Sequence, residues 1–142
     1  MGLMKAQGKV LVVEDDPPTR QLLVTALGQI KGLEVETRAD AETALDYLVA
    51  NPVDLLLFDI ALPGMSGWEL VEALRQFPHF DHLRLVGITA WYGTSHLRYA
   101  RPSGVQLDAF FPKPLNMPEL LDTVRKLLKG KSWQTSASRQ RE

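Results

Sequence analysis

Four short apolar runs in this chain each lead into a polar residue of a type that does chemistry. Val10-Leu11-Val12-Val13 is followed by Glu14-Asp15-Asp16, Leu55-Leu56-Leu57-Phe58 by Asp59, Leu85-Val86-Gly87-Ile88 by Thr89, and Ala109-Phe110-Phe111 by Pro112-Lys113-Pro114. Runs without polar alternation read as strands buried on both faces, the pattern of a parallel sheet covered by helices. In open sheets of that kind the ligand crevice lies beyond the carboxyl ends of the strands, so Asp59 is a candidate nucleophile or metal ligand. The plainer reading, a helix-capping Asp, is weaker because Ser66 fills that role before Gly67-Trp68-Glu69-Leu70. Alone, Thr89 is an ordinary strand threonine and Lys113 a solvated surface lysine. Their placement raises them.

If Glu14, Asp15 and Asp59 converge, each pair repels by about 1 to 4 kcal/mol at 4 Å, so something positive must share the site. An all-oxygen set favours a hard cation, and carboxylates plus waters are how Mg²⁺ is usually held. Lys113 brings a second positive charge and Thr89 a hydroxyl donor. Carboxylate nucleophile, Mg²⁺, ammonium and hydroxyl together suit phosphoryl transfer to Asp59, since each stabilises charge on the transferring group.

Elements must position these residues. After the first strand, Asp16 N-caps a helix whose opening Pro17-Pro18 fits only a first turn, and Leu22, Leu23, Ala26, Leu27 and Ile30 form its apolar face. Leu33 to Arg38 alternates as a strand nearer the sheet edge, and Asp40 caps a second helix that buries Ala44, Leu45 and Leu48. The run to Asp59 follows, then a helix from Ser66 to Gln76 that turns Leu70, Val71 and Leu74 inward, and the run to Thr89. Trp91 to Gly104 reads as a short, irregular fourth helix. The last strand leads to a helix starting at Asn116, with Glu119 completing a capping pair and Leu120, Leu121, Val124, Leu127 and Leu128 inward. Alternation of this kind predicts an α/β fold, a flavodoxin-like doubly wound parallel sheet of five strands in the order 2-1-3-4-5 with helices on both faces. In that order the first and third strands are neighbours, and Glu14, Asp15 and Asp59 meet.

The 142 residues, 45% hydrophobic and 23% charged, fit one globular domain. Residues 1–8 read as a disordered lead, 9–130 as the domain, and 131–142 as a flexible tail or linker stub. Sixteen basic and seventeen acidic residues leave a net charge of −1, so no overall field draws the chain to nucleic acid or anionic membrane. No recognition helix or basic stripe follows residue 130, which predicts no nucleic-acid binding by this chain alone. No apolar run is long enough to span a bilayer, and the absence of Cys excludes thiolate chemistry and fits a reducing cytoplasm. His79, His82 and His96 are scattered in polar loops, a poor basis for a metal site.

Across residues 8 to 130 the sequence resembles a response-regulator receiver domain of two-component signalling. The pieces that carry the resemblance are Val12-Val13-Glu14-Asp15-Asp16-Pro17, Asp59-Ile60-Ala61-Leu62-Pro63-Gly64-Met65-Ser66-Gly67, Ile88-Thr89-Ala90 and Lys113-Pro114. The resemblance implies that Asp59 accepts a phosphoryl group from a histidine kinase or histidine phosphotransfer protein. It also implies that Glu14, Asp15, Asp59 and the backbone carbonyl of Ala61 bind Mg²⁺, and that Thr89 and Lys113 bind the phosphoryl oxygens. Lys113-Pro114 is the family's cis peptide by the same token. Phe110 falls at the switch aromatic that turns inward with Thr89; the residue type alone equally fits fixed core. The implied output is a switched surface acting on a downstream protein partner or a fused output domain.

Two departures from that pattern bear on surface and chemistry. The connection from Gly104 to Phe110 is about two residues longer than the family norm. Ala61 has no side chain to orient an attacking water, and Trp91, two past Thr89, is placed to roof the pocket, so a long-lived phosphoryl-Asp59 is expected. The exposed Glu119, Asp122, Arg125 and Lys126 of the last helix fit a homodimer face or a solvated one. An Asp-nucleophile phosphohydrolase is a competing reading, but such enzymes carry a second Asp where Ala61 stands. A receiver-like binding module that needs no phosphorylation is the other, and the intact acidic set argues against it. The expected protein is therefore a phosphoacceptor signalling domain that acts catalytically only on its own phosphorylation and dephosphorylation.

Overall fold

The computed structural model describes residues 8–90 and 104–129, and they form a single five-stranded sheet. The elements run β1 (Gly8–Val13), α1 (Pro17–Leu27), β2 (Leu33–Arg38), α2 (Ala41–Ala50), β3 (Leu55–Asp59), α3 (Gly67–Leu74), a 3₁₀ turn (Pro78–Phe80), β4 (Arg84–Thr89), β5 (Ala109–Pro112) and α4 (Met117–Lys129). All strand pairs are parallel, in the order β2-β1-β3-β4-β5. The flavodoxin-like order expected from the alternation of elements is the one observed. The irregular helix expected after Trp91, residues 1–7 of the lead and the tail lie outside the described residues; Gly8, expected in the lead, is instead the first residue of β1, because it pairs with Leu33 on the neighbouring strand.

Period two along the strands divides the core between the two faces of the sheet. Leu11, Val13, Leu56 and Phe58 point to the side covered by α2 and α3, where they meet Ala44, Leu48, Leu70 and Val71. Val10, Val12, Leu55, Leu57, Val86 and Ile88 point to the side covered by α1 and α4, against Leu23, Leu27, Leu120 and Val124. Both faces of β3 are fully covered, which is why its sequence shows no alternation. Burial of each such leucine contributes roughly 1.5 to 3 kcal/mol. β2 lies at the edge and exposes charge, and charged edges of this kind resist pairing with other chains.

Caps set where the helices begin. Asp16 and Asp40 each accept a bond from the backbone N–H three residues on, at 3.1 and 2.8 Å. Ser66 and Glu69 form a reciprocal capping box at the start of α3. Asn116 Oδ1 accepts from Glu119 N at 3.1 Å ahead of α4. One expectation about the core needs correction, and one open alternative closes. Leu22 does not face inward but is 60% exposed, because α1 directs Leu23, Ala26 and Leu27 at the sheet and Leu22 lies about 100° away around the helix. Phe110 is not core; it is 44% exposed.

Gly67 brings α3 close to the strand that carries Asp59. A Cβ there would lie 2.6 Å from the Asp59 carbonyl oxygen, 2.8 Å from the Phe58 ring and 2.9 Å from Ile60 Cα, and two of those three are backbone atoms with nowhere to go. Gly67→Ala is expected to cost about 2 to 3 kcal/mol by overpacking, read as a lower urea midpoint at unchanged slope.

Candidate functional site

The sheet register assembles the site. Val13 is level with Phe58, so the next residues, Glu14 and Asp59, leave adjacent strands side by side. Asp59 is level with Ile88, and Thr89 with Pro112, which sets Thr89 and then Lys113 along the same rim. The backbone ties this rim together: Ile60 N–H donates to the Ile88 carbonyl at 2.9 Å, and Lys113 N–H to the Thr89 carbonyl at 2.7 Å.

Glu14, Asp15 and Asp59 each offer a carboxylate oxygen, and these atoms all lie within 4.8 Å of one another. Glu14 and Asp59 are buried, at 0% and 4% exposure, and Asp15 is exposed. Lys113 Nζ bridges the two buried acids, donating to Glu14 Oε1 and to Asp59 Oδ2 at 2.9 Å each. Asp59 Oδ1 accepts from Ala61 N–H at 2.9 Å. Both oxygens of Asp59 are thus oriented, and each retains a lone pair for a further partner. Thr89 is 8% exposed at the end of β4. The Lys113-Pro114 peptide is cis.

Electrostatics follow the burial. Loss of water pushes the Glu14 carboxyl above the ordinary range; the bond from Lys113 pulls it back, the charge of Asp59 pushes it up again, and the Asp16 backbone N–H lowers it. Burial works against the charge of Lys113, yet its bonds to Asp59 and Glu14 outweigh that and hold its pKa above the ordinary lysine value. The donor set, three carboxylates without His or Cys and open to water at Asp15, fits a hard cation such as Mg²⁺. Among the described residues no buried side-chain polar atom lacks a partner.

Two contributors around the site had no signal at the level of motif. Arg20 Nη1 donates to the Glu14 carbonyl at 2.7 Å and pins the acidic loop from α1. Its hint in the sequence is its position four residues after the cap Asp16, one turn into the helix and on the same side. Trp68 is 3% exposed, and its ring stacks with that of Phe110 at 6.4 Å between centroids and 14° between planes. Phe110 therefore rests outward over α3. Trp91, expected over the pocket, lies outside the described residues.

The long connection before β5 is firmly held where it is described. Val105 is buried, Arg75 Nη2 donates to the Gln106 carbonyl at 3.0 Å, and Asp108 accepts from Leu85 N at 2.8 Å and pairs with the buried Arg84 at 3.3 Å. These contacts gather at the end of the sheet opposite the acids.

Comparison with known proteins gives concordant matches. The family described as the response regulator receiver domain matches residues 10–125. An uncharacterized 14.6 kDa protein from the sodA1 3′ region of Leptolyngbya boryana is 34% identical over 120 residues, covering 84% of this chain and 89% of that one. The sensor histidine kinase RcsC of Salmonella typhi is 33% identical over 115 residues, which cover 81% of this chain but only 12% of the kinase. Among solved structures, the chemotaxis response regulator CheY4 of Vibrio cholerae aligns with a TM-score of 0.72 at 30% identity, over 84% of this chain and 98% of that one.

Proposed function

Since the chain belongs to the response regulator receiver domains, signalling domains of two-component systems, we propose that Asp59 is its phosphoacceptor and that residues 9–130 form the receiver. The observation that carries this reading is the lysine bridge, with Lys113 Nζ at 2.9 Å from both Asp59 and Glu14. A carboxylate held at a strand end beside an ammonium is prepared to receive negative charge. In the reaction an Asp59 oxygen forms the bond to phosphorus as the bond to the leaving imidazole nitrogen breaks, and the imidazole takes its proton from solvent. Lys113, already on Asp59, neutralises a phosphoryl oxygen, and the Thr89 hydroxyl donates to another. Glu14, Asp15, Asp59 and the Ala61 carbonyl would hold Mg²⁺, which supplies the remaining positive charge to the transferring group. The exposure of Asp15 leaves that side open to a donor.

The phosphodonor in this reading is a histidine kinase or histidine phosphotransfer protein, and the receiver of the signal is a downstream protein or a fused output domain. Phe110 is the switch aromatic and Thr89 its partner, a two-state element biased by phosphate charge. Ala61, whose N–H meets Asp59 Oδ1, carries no polar side chain that could order an attacking water. The phosphoryl group is accordingly expected to persist in the isolated chain, read as intact mass against time after removal of the donor. A cytoplasmic setting and a dimer through α4 belong to the same proposal. Among the described residues no helix is long and apolar enough to cross a membrane.

Incubation with Mg²⁺ and acetyl phosphate, or with a phosphorylated histidine kinase, tests the reading by intact mass. One adduct of about 80 Da, absent with chelator, is expected from the Mg²⁺ requirement of a crowded acidic site. No adduct from either donor would overturn the phosphoacceptor role and favour a binding module that works without phosphate.

A further inference from the structure

We propose that Glu42 is a positioning residue for the metal side of the pocket, acting through the connection between β3 and α3. This rests on the reading of Glu14, Asp15 and Asp59 as the Mg²⁺ site. The connection leaves Asp59 and carries Ala61, whose N–H holds Asp59 Oδ1 at 2.9 Å. Its two ends are fixed. Ile60 N–H is bonded to the Ile88 carbonyl, Gly67 N–H to the Ile60 carbonyl, and Ser66 is locked in the capping box of α3.

Toward the α3 end the connection is met from outside by Glu42. Its Oε2 accepts from Met65 N–H at 3.1 Å, across 23 positions of sequence. The carboxylate also lies close to Gly64, where a Cβ would come within 3.0 Å of the same Oε2. Gly64 has φ +73°, a conformation that favours glycine in its own right, so backbone shape and the fit of the carboxylate require the same residue. Asp40 already caps α2, which frees the Glu42 carboxylate, in the first helical turn, to reach across to its neighbour.

Both Glu42 and Gly64 are exposed, and a solvent-exposed hydrogen bond contributes little to global stability. What such a bond does restrict is the set of positions available to a short connection. Loosening it disperses the Ala61 carbonyl and the N–H that orients Asp59, which weakens a cation there while leaving the core untouched. Outer partners that orient ligands matter for metal affinity in this way.

Calorimetric titration of Mg²⁺ into wild type, Glu42→Gln and Glu42→Ala tests this, with Mg²⁺-dependent adduct formation from acetyl phosphate as a second readout. Glu42→Ala is expected to raise the Mg²⁺ dissociation constant about threefold to tenfold, less than the loss of a direct outer-shell partner. Its urea midpoint should stay at the wild-type value, and a midpoint lowered in step with the affinity overturns the proposal, because the loss then belongs to the fold. Glu42→Gln keeps an oxygen acceptor for Met65 N–H and should match wild type in both assays. An unchanged dissociation constant in Glu42→Ala overturns the proposal. An equal loss in Glu42→Gln overturns it as well, because the effect then belongs to charge. A wild type that binds Mg²⁺ but gains no adduct removes the phosphoacceptor reading and leaves calorimetry to judge Glu42; a wild type that binds no Mg²⁺ overturns both.

Discussion

Asp59→Asn is expected to abolish the phosphoryl adduct, with a loss of at least about 1,000-fold in the rate of its formation, an effect of the size seen when an attacking group is removed. The amide has nearly the same shape as the carboxylate, but its nitrogen lone pair is delocalised and its oxygen is a poor nucleophile toward phosphorus. The hydrogen-bond pattern also becomes inconsistent. Asp59 now accepts from Ala61 N–H on one oxygen and from Lys113 on the other, and an asparagine must turn its NH₂ toward one of those two donors. Lys113 keeps Glu14 as a partner, so the fold is expected to survive. A mass spectrum of Asp59→Asn after donor and Mg²⁺ treatment reads the result directly, and an adduct as abundant as in wild type would assign the acceptor to another residue.

Lys113→Met is expected to be the most destabilising substitution of a site residue, by about 3 to 4 kcal/mol without metal at neutral pH, since it leaves two buried carboxylates facing each other. That is a large share of the roughly 5 to 15 kcal/mol that holds a typical domain together. The cost has a ceiling, because Glu14, already raised by burial, takes up a proton once its compensating ammonium is gone. The sign of the pH dependence follows. In wild type, the raised pKa of Lys113 means that its stabilisation is complete below the ordinary lysine value and is lost only as pH rises through the raised one. In the variant, Glu14 is raised further, so its ionised form costs stability at neutral pH and that cost fades as pH falls through the raised value. Urea midpoints of the two proteins should therefore converge as pH is lowered from neutrality toward the ordinary carboxylate range. Added Mg²⁺ should raise the midpoint of the variant more than that of wild type, since a cation replaces the missing charge only in the folded state. Equal midpoints at neutral pH would show that the bridge carries no net stability.

The fold was legible because its signals were redundant. Uninterrupted runs at Leu55–Phe58 and Leu85–Ile88 left no alternative to strands covered on both faces, and Asp16, Asp40, Ser66 and Asn116 marked helix starts by a local mechanism. The convergence of Glu14, Asp15, Asp59 and Lys113 followed from strand order alone, since carboxyl ends of parallel strands must share one rim. What escaped the sequence was decided by angle and distance. Leu22 belongs to the apolar set by type, yet about 100° of helix rotation separates it from Leu23 and leaves it in solvent. Phe110 gave no sign of its side, because an edge position accommodates an aromatic ring in either direction, and Trp68 supplies the outward partner. Glu42 acts on a backbone N–H 23 positions away, and Arg20 on a carbonyl in the loop before its own helix; unlike a helix cap, neither bond has a fixed spacing that a residue pattern could mark.

The Lys113 bridge also has a meaning in time. Its two bonds join positions 99 and 54 residues apart, so the strand that brings the first acid and the one that brings the acceptor are both synthesised well before the lysine. A ribosome releases the chain from its amino end, and contacts of such long separation form only after the later segment has emerged. Until then Asp59 faces Glu14 with no ammonium between them. Since Lys113 directly follows β5, the ammonium reaches Asp59 only together with the last strand, and the completed site and the finished sheet arrive as one event.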